Sequence, residues 1–179
     1  MTAEPMKSQE AAKKSVNLRA IEPEDLDALY QIENDVETWG VGVTNVPYSR
    51  YVLRDYVAHV SNDIYADRQV RFVIENEAGA FVGLLDLVNF DHQHCRAEVS
   101  IVVQKSFRRQ GYARLALQQL NRYALRVLHL HQLYGVADTD NAASLQLFQS
   151  EGYQTTARLR DWLYNGKTYH DAVLLQLNL

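Results

Sequence analysis

Val102-Val103-Gln104-Lys105-Ser106-Phe107-Arg108-Arg109-Gln110-Gly111-Tyr112-Ala113 is the stretch whose reading decides the fold. Just before it, Val99-Ser100-Ile101-Val102-Val103 is rich in β-branched residues and reads as a strand. Just after it, Leu115, Leu117, Leu120, Ala124, Val127 and Leu128 recur as the broad apolar face of a helix beginning near Gly111. The backbone N–H groups at a helix start have no partner inside the helix and meet the positive end of its dipole. A basic loop followed by such a start is a socket for a pyrophosphate. Gly111 and Ala113 are small enough for phosphates to approach the backbone of Gln110, Gly111 and Tyr112. Arg108, Arg109 and Arg114 concentrate positive charge in a chain whose formal net charge is −4.

Outward from this stretch, Val16 to Ile21 alternates as a half-buried strand does. Pro23, Glu24 and Asp25 open a helical pattern, with the acids where the dipole favours them. Ser49 is placed to cap a second helix running to about Val60, with Val52, Tyr56, Val57 and Val60 facing inward. Val70 to Glu75 and Phe81 to Phe90 form a hairpin across Asn76-Glu77-Ala78-Gly79, and Arg96 to Val103 is the next strand. Beyond the long helix come a short strand, Leu133 to Ala137, and a helix from Asn141 to Glu151 that Gly152 ends. Two further strands meet at Asn165-Gly166, a strong hairpin signal. The strand–helix–strand stretch requires parallel pairing and the hairpins antiparallel pairing. The expected class is α+β: one mixed sheet with helices on its faces.

Composition limits the function. Residues 1–14 are expected to be a flexible tail and 15–179 a single domain, since the length suits one domain. The hydrophobic share of 47% is enough for a sizeable core. An acidic balance argues against nucleic acid, which wants a basic field. The lone Cys95 forms no internal disulfide. No run approaches the ~20 apolar residues of a membrane span, and the N-terminus lacks a signal peptide's apolar core. The expectation is a cytoplasmic protein without membrane or nucleic-acid partners, with the question of a homo-oligomer left open. His92-x-His94 and His129-x-His131 lack the further ligands that a metal site needs, so none is expected.

Arg108-x-x-Gly111-x-Ala113 resembles the Arg/Gln-x-x-Gly-x-Gly/Ala signature of the GNAT acetyltransferases. About thirty residues on, Asn141-Ala142-Ala143-Ser144, then Phe148 and Gly152-Tyr153, is similar to that family's second signature. His92 to Val99 and the Tyr164-Asn165-Gly166-Lys167-Thr168-Tyr169 hairpin resemble the branch of spermidine acetyltransferases and ribosomal-protein N-terminal acetyltransferases. The resemblance implies a mostly antiparallel sheet of about seven strands flanked by about four helices. It also implies acetyl-CoA as co-substrate, its pyrophosphate held by Arg108 to Arg114. Its pantetheine arm would lie on the backbone of Ile101 and Val103 and touch Asn141.

The implied reaction is attack of an amine on the acetyl thioester. An alkyl amine with a pKa near ~10.4 is mostly protonated at neutral pH, and freeing it costs roughly 4–5 kcal/mol at pH 7. Glu98, on the strand leading into the cofactor loop, is the candidate base; the alternative is a structural carboxylate. Family members often protonate the leaving thiolate with a Tyr where this chain has Phe148. Either Ser144 supplies the proton, or a thiol of pKa around ~8.5 leaves unaided. Glu33, Glu37 and Trp39, near the end of the first helix, are candidates to attract a cationic acceptor. That acceptor would be a small amine such as spermidine, or a basic peptide's N-terminus. The Val41 to Val46 loop lacks the acids found there in the spermidine enzymes. Competing readings are a GNAT acting on an amino sugar, antibiotic or amino acid, and a domain that binds acyl-CoA without turnover.

Overall fold

The computed structural model describes residues 14–37, 46–61 and 63–179. Along the chain it runs β1 (Val16–Arg19), α1 (Leu26–Glu33), α2 (Arg50–His59), α3 (Ile64–Asp67), β2 (Val70–Asn76) and β3 (Phe81–Asp91). It continues with β4 (Arg96–Val103), α4 (Tyr112–Arg126), β5 (Gln132–Asp138), α5 (Ala142–Ser150), β6 (Gln154–Tyr164) and β7 (Tyr169–Asn178). The seven strands form one sheet in the order β1-β2-β3-β4-β5-β7-β6. Among the described residues only β4 and β5 pair in parallel; the other neighbours are antiparallel. The mixed α+β sheet expected from the sequence is therefore present.

Among the described residues five α-helices flank it, in keeping with the about four expected. The additional one, α3, is a single turn held by Asp63, whose carboxylate accepts the N–H groups of Tyr65 and Ala66. A single turn is too short to carry a periodic signal. Two inward assignments shift as well. On α2 it is Leu53 that is buried, while Val52 is 46% exposed. Val127 lies just past the end of α4 and is exposed.

The helices divide the sheet into two faces. On the first, Tyr112, Ala116, Leu117, Leu120 and Ala124 of α4 and Phe148 of α5 join Ala97, Val99, Leu133 and Leu175 in one core. Burying a leucine as fully as Leu117 and Leu120 contributes about 1.5–3 kcal/mol each. On the second face, Leu29 and Ile32 of α1 and Leu53 of α2 pack over Val73 and Leu84, with Val102 partly buried against them. These two helices cover the β1–β3 end. Beyond them Glu98 and Tyr134, alternating with the first-face residues Ala97, Val99, Leu133 and Gly135, look out from the second face.

Candidate active site

The parallel ladder between β4 and β5 has three rungs: Arg96 opposite Gln132, Ala97 opposite Leu133, and Glu98 opposite Tyr134. Past Glu98 the strands separate. β4 continues beside β3 to Val103, and β5 continues beside β7 to Asp138. Just past the fork, the Phe148 ring packs on Gly135 so closely that a Cβ there would meet its Cζ at 3.2 Å. Gln104 N–H bonds the Val82 carbonyl at 2.9 Å, so alternate N–H groups of β4 point to β3. Those of Ile101 and Val103 therefore face the other way, into the opened fork. That is the placement a pantetheine arm and a developing oxyanion require.

The cofactor loop follows. A 3₁₀ turn at Lys105–Phe107 leads to Arg109 and Gly111, both in the left-handed region, with φ of 59° and 90°. Gly111 is the N-cap of α4, and a Cβ on it would meet nothing within 4 Å. The first helical bond runs from Leu115 N–H to the Gly111 carbonyl. The N–H groups of Tyr112, Ala113 and Arg114 thus precede any intrahelical partner. Arg108 and Arg114 are more occupied than the sequence implied. Arg108 Nε donates to the Val103 carbonyl at 2.9 Å, bracing the loop against the end of β4. Arg114 Nε donates to Glu151 at 2.6 Å, tying α4 to the end of α5. Lys14, expected in the tail, instead donates from Nζ to the Gln110 carbonyl at 3.1 Å and lies 5.2 Å over the Tyr112 ring.

Glu98 stands at the vertex of the fork, on the second face. Its Oε2 accepts from Asn89 Nδ2 at 2.8 Å. Tyr134 lies across the last rung, its phenol pushed above the ordinary tyrosine value by burial and then by the Glu98 charge. Asn89 and Tyr134 also line a cleft of about 590 Å³ with Arg96 and Gln176. Neither Asn89 nor Tyr134 stands out in the sequence, because their meeting depends on strand register.

On α5, Asn141 is the N-cap and accepts the Ser144 N–H at 3.1 Å through Oδ1. Ser144 is one turn ahead of Phe148 and so shares its side of the helix. Phe148 is buried and T-stacked on Tyr153 at 4.9 Å. Tyr153 donates its hydroxyl to Asn121 Oδ1 at 3.0 Å, and burial holds its phenol far above the usual range. It is a core residue, not a proton donor to the fork.

The acids near the end of α1 are paired. Arg71 binds Glu33 at 2.6 Å and forks onto Asp86 with contacts of 2.9 and 2.8 Å. Asp86 registers with Ser100, one step along the same face from the Val88–Glu98 pair. Glu37 and Asp35 meet Lys105 of the cofactor loop at 2.9 and 3.5 Å. Trp39 and the loop through Asn45 lie outside the described residues.

His92 and His94 sit in the β3–β4 turn, and His129 and His131 follow the end of α4 rather than lying within it. A different group, Asp138, Asp140 and His170, brings its ligand atoms within 4.8 Å of one another. Asn165 Oδ1 accepts the N–H groups of Lys167 and Thr168, so its amide N–H faces His170 Nε2 at 2.6 Å. The His170 Nδ1 lies 3.5 Å from Asp140 and 3.8 Å from Asp138.

Residues 15–154 match the sequence model of the acetyltransferase (GNAT) domain. Spermidine N(1)-acetyltransferase of Escherichia coli K12 is 30% identical over 161 residues, covering 89% of this chain and 83% of that protein. The crystal structure of spermidine N-acetyltransferase from Vibrio cholerae in complex with CoA and spermine shares the fold, with a TM-score of 0.82 and 23% identity over 92% of this chain and 95% of that one. So does a dodecameric structure of the Vibrio cholerae enzyme, with a TM-score of 0.77 and 23% identity over 92% of this chain and 94% of that one. The chain belongs to the GNAT acetyltransferases, and it is an acetyl-CoA-dependent N-acetyltransferase.

Proposed function

We propose that the chain transfers the acetyl group of acetyl-CoA to a primary amine of a polyamine such as spermidine, with Glu98 as the base. The observation that carries this reading is the fork: the strands diverge just beyond Glu98, leaving inward N–H groups on one side and a carboxylate at the vertex. The thioester would lie along β4, with its arm on Ile101 and Val103 and near Asn141. Its phosphates would meet the loop from Arg108 to the start of α4. The bound ammonium gives one proton to Glu98, directly or through water. The free nitrogen then attacks the carbonyl carbon, and its second proton is lost as the intermediate collapses and ends on the departing sulfur. The oxyanion that forms is met by the Val103 N–H. The C–S bond then breaks, and Ser144 donates a hydrogen bond to the departing sulfur. The products are the N-acetylated amine and CoA.

A polyamine acceptor is supported by the spermidine enzyme to which the chain is 30% identical, and by the acidic balance of −4. Glu33 and Asp86 around Arg71, with Glu98 on the same face, give the acceptor side more carboxylate than cation. Trp39 and Glu37 would border the same groove. A second reading, acetylation of a basic protein N-terminus, is favoured by Ser144 and Phe148, a pair that resembles the ribosomal-protein branch. Residues 15–179 would act as one catalytic domain. Self-assembly is favoured by the exposed Trp162, Tyr164 and Tyr169 of the β6–β7 hairpin, and a dodecamer is described for the Vibrio cholerae neighbour. The test is thiol release from acetyl-CoA across spermidine, spermine, a basic peptide with a free N-terminus, an amino sugar and an amino acid. Release with the polyamines is expected. Release only with another amine moves the acceptor, and tight CoA binding without release from any of them overturns turnover.

A further inference from the structure

We infer that Asn89 is a positioning residue that orients Glu98 for proton abstraction from the acceptor amine, an assignment that rests on Glu98 acting as the base. In a regular strand Asn89 would point to the face opposite its neighbour Val88. The β3–β4 register breaks between Val88 and Asp91, and Asn89 takes φ of 51°. The break turns its side chain onto the same face as Val88, where both line the cleft beside Glu98. Such bulges re-aim a side chain at the cost of a local ladder bond. Asn is among the few residues that occupy the left-handed region readily.

The chemistry fixes the direction of the contact. An ionised carboxylate only accepts, so the Asn89 amide must present its N–H₂ to Glu98 Oε2, at 2.8 Å. Among the described residues no hydrogen bond engages Glu98 Oε1, which leaves it for the amine or for a bridging water. Asn89 also adjoins the Tyr134 phenol. Around this pair stand Arg96 on β4, Asp91 at the end of β3, which Arg96 meets at 3.3 Å, and the Arg71–Asp86 pair one step along the face. Asn89 is the neutral donor among them. It holds the carboxylate's orientation without neutralising the charge that receives the proton.

The test is the pH profile of kcat/KM for spermidine in the wild type, Asn89→Gly, Asn89→Asp and Glu98→Gln. Glycine keeps the left-handed backbone unstrained and removes only the amide. Its acidic limb should move to higher pH by roughly half a unit to one unit, as expected for losing one hydrogen bond to a carboxylate. Asn89→Asp tolerates the same backbone and places a second carboxylate beside the first, so its limb should move further. Glu98→Gln should lose the limb in the carboxylate range and instead rise with pH toward the amine's own pKa near ~10.4. If Glu98→Gln loses the limb while both Asn89 variants keep the wild-type limb, Asn89 has no positioning role and the base assignment stands. A carboxylate-range limb that survives unchanged in Glu98→Gln overturns the base, and the role of Asn89 with it.

Discussion

Ser144 and Phe148 sit one turn apart on α5, and between them they decide how the thiolate leaves. Phe148 fills the place beside Gly135 with a ring that has no proton to give, and the Tyr153 hydroxyl is committed to Asn121. A free thiolate with a conjugate pKa of ~8.5 is already a fair leaving group at neutral pH. On the proposed mechanism the Ser144 hydroxyl therefore assists rather than enables. Ser144→Ala should lower kcat by about tenfold or less, without changing the KM for the amine or the melting temperature. Steady-state kinetics at saturating acetyl-CoA measure this, and an unchanged kcat would mean that the thiolate departs unaided. At this scale the sequence is informative where a residue's role comes from its neighbours in the chain. Glu98 stands out because it precedes the cofactor loop on one strand, and Asn141 because it precedes a helix. Asn89, Tyr134 and Lys14 do not stand out. Asn89 reaches the site through a bulge, Tyr134 through the parallel register, and Lys14 through a bond to Gln110, 96 residues away.

The start of α4 is the element on which cofactor binding turns. Its N-cap glycine has φ of 90°, and the space over its missing Cβ is open. A glutamate there would keep its side chain clear of protein atoms yet set a negative charge where phosphates must bind. The backbone strain of a non-glycine residue in this region costs about 1–2 kcal/mol, too little to unfold a typical domain. Gly111→Glu should therefore weaken CoA binding at least tenfold by isothermal titration while the protein melts cooperatively. Gly111→Asn, which tolerates the same backbone without the charge, should bind far better than Gly111→Glu. Equal affinities in the two variants would remove the charge argument and with it the proposed pyrophosphate site. Elements with a long repeat or a marked turn are legible from sequence: β4, α4, and the hairpins at Asn76–Gly79 and Asn165-Gly166. The one-turn α3 is not. On α2 Leu53 takes the inward place expected for Val52, while Tyr56, Val57 and Val60 keep theirs. Both residues are apolar, but Leu53 lies three, four and seven residues before those three and so shares their side of the helix.

The whole molecule combines one parallel junction with an otherwise antiparallel sheet, and the fork exists because that junction is only three rungs long. Sequence order implies the parallel pair, yet nothing local gives the length of a ladder, which follows from how α5 and Phe148 pack behind β5. The same assembly sets the field that an acceptor meets. The chain carries a net charge of −4, and Glu33, Asp86, Glu98 and Asp138 look out from the second face against Arg71 and Arg96. A polyamine, with amines of pKa near ~10.4, is polycationic at neutral pH and should be drawn to this face. Screening shortens the reach of that field from ~10 Å at 0.1 M salt to ~3 Å at 1 M. With acetyl-CoA saturating, kcat/KM for spermidine should fall several-fold between about 0.05 and 0.5 M salt. The fall should be steeper for spermine, which carries one more charge, than for spermidine. Equal slopes for the two, or none, would mean that the carboxylates of this face serve the fold and not the acceptor, and would favour an amine recognised by shape in the cleft beside Tyr134.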